Sequence, residues 1–427
     1  MFHAAGHTRG LPVEDLADTV IGARGRPRPF DGQLVLPMLS LSEEALRQNT
    51  SALMQYAHEQ GAELAPHAKT PMAPDLARQF VAAGAWGATV ANVRQAAVML
   101  DAGITNLIIA SEIGARTGAN NLASLLARHT SAEVCVFVDS TDLVDALAST
   151  WMARPGLPAL DLLIHVGEKR SGLRSNEVAF GLADHILRFE DVGLRLAGVG
   201  LYEGTLASSD ENVTAQAIAA LMDRGVRVFG HIAAKVAAGR RLIFTAGGSM
   251  FFDLVVKHLR ASAIEFSRAR IVLRPGAIFF HDHGTYRRAA ESMDARSGFV
   301  LGGRTAAAAD IFKPALRVWA EVISVPEIGL LICGLGERDA GEDMGLPIPL
   351  AHYRDGAFTG ELEQKARVVK LNDQHAYVHV DGDCDVRCGD VVSFGISHPC
   401  TTLEKYRFVI GLDEDDRASR FIPTHFG

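Results

Sequence analysis

No stretch of the chain stays apolar for the roughly 20 residues that a membrane helix requires. The first thirty residues mix acidic and basic groups and have no continuous apolar core, so they do not read as a secretory signal. Cysteine is scarce: Cys135, Cys333, Cys384, Cys388 and Cys400 are odd in number and scattered, which argues against a disulfide framework. The expectation is therefore a cytoplasmic, reducing environment without membrane contact. Basic charge is also in short supply, with 42 Lys and Arg against 50 Asp and Glu and a net charge of -8. No Lys/Arg-rich run interleaves with aromatics, so neither nucleic acid nor an anionic membrane is an expected partner. What remains is an ordinary globular composition, 48% hydrophobic and 22% charged over 427 residues. That length suits two domains, or one barrel with an appendage.

After a polar leader (1–35), the segment "LPMLSLSEEALRQNTSALMQYAHEQGAELAPHAK" reads as strand, helix, strand. Ser40 and Glu43 have capping-box spacing, and Leu46, Leu53 and Ala57 share one helical face. The unit recurs through "GATVAN", "ITNLIIASEI", "AEVCVFVDS", "LDLLIHVGE", "LRLAGVGLYEG", "RLIFTAGGS" and "SAIEFSRARIVLRPG", mostly with helical stretches between. About eight buried strands alternating with helices predict an α/β fold, a parallel (β/α)8 TIM-like barrel over 36–305. An open doubly wound sheet is the alternative. From about Asp310 the pattern turns to short alternating strands with Gly/Asp turns, predicting a smaller antiparallel β-domain over 306–427.

Barrels place their chemistry at the C-terminal rim of the strands. Lys69, Asn92, Glu112, Asp139, Glu168 to Arg170, Tyr202 and Gly247 to Ser249 lie at those ends. In "PHAKTP", Lys69 is held between Pro66 and Pro71, as a nucleophilic amine would need to be; an ordinary rim lysine is the alternative. In "TAGGS", Gly247 and Gly248 admit close approach of backbone N–H groups and Ser249 adds a hydroxyl, a possible phosphate cradle or simply a tight turn. In "SHPCTT", His398 and Cys400 could both reach one Zn²⁺, or serve the β-domain structurally. His375 is a third candidate ligand, His281 and His283 form a rival pair, and Cys384 and Cys388 read as core or turn residues.

Together, "PHAKT", "VGEKRSG", "GLYEG", "TAGGS", "LRPGAIFFHD" and "DQHA" followed by "SHPCTT" resemble, in order, the D-serine dehydratase and D-threonine aldolase family of the alanine racemase fold (fold type III). The resemblance runs from about Leu36 to Asp413 and implies a pyridoxal 5'-phosphate enzyme. It makes Lys69 the Schiff-base lysine and places Arg170 by the cofactor's phenolic oxygen and Tyr202 in the pocket. Gly247, Gly248 and Ser249 become the phosphate turn, Asp282 matches a cofactor-site aspartate, and His398 and Cys400 match a zinc pair. A cysteine as second ligand points to a D-serine dehydratase (deaminase), with a D-threonine-type aldolase as the alternative. A racemase and, from another class, a non-catalytic cofactor carrier are also weighed. The implied partners are a small D-amino acid and a second copy of the chain in a homodimer. Three departures stand out: His165 replaces an acidic residue, Asp373-Gln374-His375 replaces Glu-Glu-His, and "CGLGERDAGEDMGLP" lacks a customary lysine.

Overall fold

The computed structural model describes residues 26–265, 267–382 and 384–426. Its first strand, β1 (Met38–Ser42), is followed by a helix over Glu43–Glu59. Ser42 caps that helix, accepting from the Ala45 N–H at 3.3 Å, and Glu43 and Glu44 face the positive end of its dipole. The capping-box reading of Ser40 is thus corrected. Ser40 pairs with Arg317 inside the strand, and its hydroxyl accepts from the Trp319 indole at 2.8 Å. Leu46, Leu53 and Ala57 are all buried.

Eight parallel strands then follow: β2 (Glu63–Leu64), β3 (Ala88–Val90), β4 (Asn106–Ile109), β5 (Glu133–Val138), β6 (Leu160–Val166), β7 (Leu194–Leu201), β8 (Leu242–Ala246) and β9 (Ala269–Leu273). Their order is β2-β9-β8-β7-β6-β5-β4-β3, and a parallel bridge between His67 and Thr89 joins the two ends into a ring. These strands are buried on both faces, which is why they read as apolar runs rather than alternations. Ile108, Cys135, Phe137, Leu163, Ala197, Ile243 and Val272 fill the interior, while the opposite faces pack against the helices. Gly200 is required here, because a Cβ at that position would lie 2.2 Å from the Phe137 ring.

The second sheet has ten strands and takes most of them from Leu316–Pro423. It also takes β1, which runs antiparallel to Leu316–Glu327 and parallel to Phe408–Leu412. The described part of the chain therefore contributes its first strand to the second sheet, builds the barrel, and returns. The sheet is mixed at this one parallel pair and antiparallel elsewhere. Of the leader, residues 1–25 lie outside the described residues; Phe30 stacks on Tyr353 of the second sheet with ring centroids 4.2 Å apart. No helix among the described residues is long and apolar enough to cross a membrane.

Candidate active site

Beyond β2 the chain is held from both sides. The His67 N–H donates to Pro275 O at 2.9 Å, and the Ala68 N–H donates to Thr89 O at 2.8 Å. Lys69 follows on this clamped turn, and its side chain opens into two adjoining cavities of about 560 and 280 Å³ that share His67, Lys69, Tyr202, Gly248 and Arg274. A larger surface groove of about 870 Å³, along the helix over Glu43–Glu59, carries none of these residues. Enclosure by protein holds the Lys69 amine below its usual pKa; the nearby Cys400 opposes that shift, and Arg170 and Arg274 add to it. A larger fraction of neutral, nucleophilic amine results.

Two turns form the opposite wall. At the end of β8, Gly247 has φ +83°, and the N–H groups of Gly247 and Gly248 donate to the two oxygens of the fully buried Glu203 carboxylate at 3.1 and 2.6 Å. The turn is therefore an anion holder whose first two donors face an internal carboxylate. Ser249 joins it to the turn after β9, accepting from the N–H groups of Gly276 and Ile278 at 2.9 and 3.3 Å. Arg274, only 4% exposed, donates to Thr245 Oγ1 and Leu201 O, both at 2.6 Å, and lies over the Phe137 ring. Burial pulls its pKa down to about 10 against the pull of Glu203. Arg170 lies over the Tyr202 ring, 5.1 Å from its centroid.

The second sheet closes this site. His398 precedes the short helix Pro399–Leu403, and Cys400 Sγ lies 3.4 Å from the hydroxyl of Thr70, the neighbour of Lys69. His398 Nδ1 is 2.7 Å from Asp343 Oδ2, and the Thr401 hydroxyl donates to Asp343 Oδ1 at 2.7 Å. Hydrogen bonding to Cys400, more than the Asp343 pairing, raises the His398 pKa to about 9 against the effect of burial.

One structural arrangement thus brings Lys69, Arg170, Tyr202, Gly248, Ser249, His398 and Cys400 to a shared cavity system, with Gly247 just behind. Asp282 stands behind Tyr286: its Oδ1 accepts from the N–H groups of Gly284 and Tyr286 at 2.8 Å each, and burial raises its pKa to about 7. His281 packs edge-on to Phe312 and His283 against Gly395, so the two rings have different neighbours. His375 is exposed in a hairpin turn outside the cavities. Glu112, Asp139 and His165 place ligand atoms within 4.8 Å of one another, a donor set that could hold a metal ion. As they stand, His165 Nδ1 lies 2.6 Å from Glu112 Oε1, and Asp139 accepts from the Gly172 N–H at 3.0 Å, holding the loop that carries Arg170.

Reading the sequence missed His67, Glu203, Arg274 and Asp343 as members of the site. Glu203 and Arg274 lie within the quoted "GLYEG" and "LRPG" motifs, but only burial distinguishes them from surface charges. Two polar atoms suit a bound heteroaromatic group: His67 Nδ1 and Arg274 Nε are buried without a hydrogen-bond partner among the described residues. The imidazole and thiol of His398 and Cys400 match the N/S donor preference of zinc.

Comparisons with known proteins agree with this architecture. A model of the alanine racemase N-terminal domain matches residues 41–240, and one of a serine dehydratase domain matches residues 315–412. A D-threo-3-hydroxyaspartate dehydratase from Delftia sp. (strain HT23) is 28% identical over 251 residues, 54% of this chain and 64% of that protein. A D-threonine aldolase from Arthrobacter sp. is 27% identical over 172 residues, 40% of this chain and 44% of that protein. The chain thus spans less than two thirds of either relative's length in these matches. Among solved structures, a D-threonine aldolase from Filomicrobium marinum superposes with a TM-score of 0.73 at 24% identity, covering 92% of this chain and 95% of that one. The Delftia dehydratase gives 0.67 at 20% identity over 91% and 97%. A cysteine-to-alanine variant of that dehydratase is known in a metal-free form.

Proposed function

We infer that this chain, which belongs to the pyridoxal-phosphate proteins of the alanine racemase fold, is a lyase of D-amino acids and, more specifically, a zinc-dependent D-serine dehydratase. The observation that carries this reading is the meeting of Lys69, from the barrel, with His398 and Cys400, from the second sheet, across one cavity. Lys69 would hold the cofactor, and Ser249, Gly248, Tyr202, Arg170 and Arg274 would surround it. His398 and Cys400 would hold the zinc. When bound, the cofactor supplies an electron sink for charge developing at Cα and the metal supplies Lewis acidity at the β-hydroxyl.

The chain's own contribution is proton handling and charge placement. The Lys69 amine, kept below its usual pKa, takes the α-proton of a β-hydroxy D-amino acid. Neutral His67 and the cationic Arg274 line the floor without offering a competing base: burial, Lys69 and Arg274 hold the His67 imidazole well below its usual pKa. Loss of the β-hydroxyl as water then leads to a keto acid and ammonia. The Delftia and Arthrobacter relatives support a β-hydroxy D-amino acid as substrate class. Cys400 rather than aspartate at the second donor position favours elimination over Cα–Cβ cleavage.

The test is product analysis of purified enzyme on D-serine, D-threo-3-hydroxyaspartate and D-threonine, with and without chelator. Keto acid plus ammonia from D-serine, lost on chelation and in K69A, is expected. Glycine plus an aldehyde would make the chain an aldolase instead. Undiminished turnover by K69A or by chelated enzyme would remove the lysine or the metal, respectively, from the reading.

A further inference from the structure

We propose that Asp343 is the positioning residue of the metal pair: it takes the Nδ1–H of His398 and the hydroxyl of Thr401, leaving Nε2 as the imidazole's donor atom beside Cys400. The inference rests on the zinc reading of His398 and Cys400 given above. A histidine that binds metal through one nitrogen is commonly fixed by a carboxylate on the other, which sets both the tautomer and the ring plane.

Three features separate this pair from a casual surface contact. Both oxygens of Asp343 are engaged, each at 2.7 Å, and the two donors flank Cys400 in sequence. The connection that carries Asp343 is fastened on one side to the same short helix and on the other to the residue just before His398. Upstream, the Gly341 N–H donates to Thr402 Oγ1 at 3.1 Å; downstream, the Ser397 hydroxyl donates to Leu346 O at 3.0 Å. Gly341 is needed for this approach, because a Cβ there would come within 2.2 Å of Thr401 Oγ1. Charge also balances: a neutral imidazole, one thiolate and one carboxylate together neutralise a divalent ion.

The experiment measures Zn²⁺ affinity of the holoenzyme by competition with a chromogenic chelator, and the thiolate-to-cobalt absorption of the Co²⁺-substituted protein. D343N is expected to bind Zn²⁺ about 10- to 100-fold more weakly and to show an altered cobalt spectrum, with the cofactor absorbance unchanged. D343E should recover part of the affinity. T401V, which removes one bond and keeps the carboxylate, should show a smaller loss in the same direction and serves if D343N does not fold. Affinity in D343N and T401V equal to the parent's, with H398A unable to bind, would overturn the inference and leave the zinc site standing. Equal affinity in the parent and H398A would instead overturn the zinc site itself.

Discussion

Glu203 shows how a single buried carboxylate can organise a cavity wall that it does not itself complete. It takes both N–H groups of the Gly247–Gly248 turn and faces the guanidinium of Arg274 electrostatically. Glu203→Gln replaces one acceptor oxygen with a donor amide, setting N–H against N–H at a buried position. The expected cost is about 1–3 kcal/mol of stability in urea denaturation, with weaker pyridoxal-phosphate binding by absorbance titration. Asp282 gives a pH-dependent case. Its folded pKa of about 7 lies above the unfolded value of about 4. The stability contributed by its protonated form is therefore complete below pH 4 and lost as pH rises through 7. Asp282→Asn keeps an Oδ1 acceptor for Gly284 and Tyr286 but carries no charge. In metal-free protein it should match the parent near pH 4 and exceed it in urea midpoint at pH 8. At this scale Lys69, His398 and Cys400 were legible because proline flanks or close spacing mark them. Glu203 and Arg274 were not, because burial of a charge is a property of the fold and not of its neighbours in sequence.

Among the elements, the Gly247–Met250 turn is secured by an ion pair rather than by its own hydrogen bonds alone. Asp253, in the first turn of the helix over Phe252–Ala261, has a fully buried carboxylate that receives two bonds from Arg296 at 2.7 and 2.8 Å. The same guanidinium donates to Met250 O at 3.2 Å, at the end of the Gly247–Met250 turn. Arg296→Ala leaves a buried carboxylate unpaired, so a loss of about 3–5 kcal/mol is expected by chemical denaturation. Reduced cofactor affinity should accompany it. The elements themselves were largely readable: the barrel strands after the two-residue β2 correspond to apolar runs, and the helix after β1 shows its buried face. What sequence could not reveal is that β1 leaves the barrel. Its partners, Leu316–Glu327 and Phe408–Leu412, lie about 280 and 370 residues away, beyond the range of any local pattern.

In the whole molecule, that strand ties the two sheets together. The second sheet's connection over Pro399–Leu403 brings His398 and Cys400 to the cavity, and the sheet receives β1 from the barrel's own N-terminal side. Neither unit is therefore complete without the other. Calorimetry of the holoenzyme should show one transition, moving upward with added pyridoxal phosphate. A chain ending at residue 315 should fail to fold stably, since β1 would lose both of its neighbours. Two well-separated transitions would contradict this coupling. A barrel with a second, smaller sheet was readable in outline, while their interlacing depends on pairings that only the assembled sheet displays.

The 3.4 Å approach of Cys400 to Thr70 has an evolutionary side. On the proposed reading, base and metal donor come from different parts of the chain that meet at one point, so the outcome of the reaction could be edited on one side without rebuilding the other. Exchange of Cys400 for aspartate would be such an edit, placing a hard oxygen where a soft sulfur now stands, over an unchanged lysine. The expected change is a larger share of glycine and aldehyde from D-threonine relative to keto acid from D-serine. On that reading, an enzyme built this way could move between cleaving a carbon–oxygen bond and a carbon–carbon bond through a single codon in the short helix Pro399–Leu403.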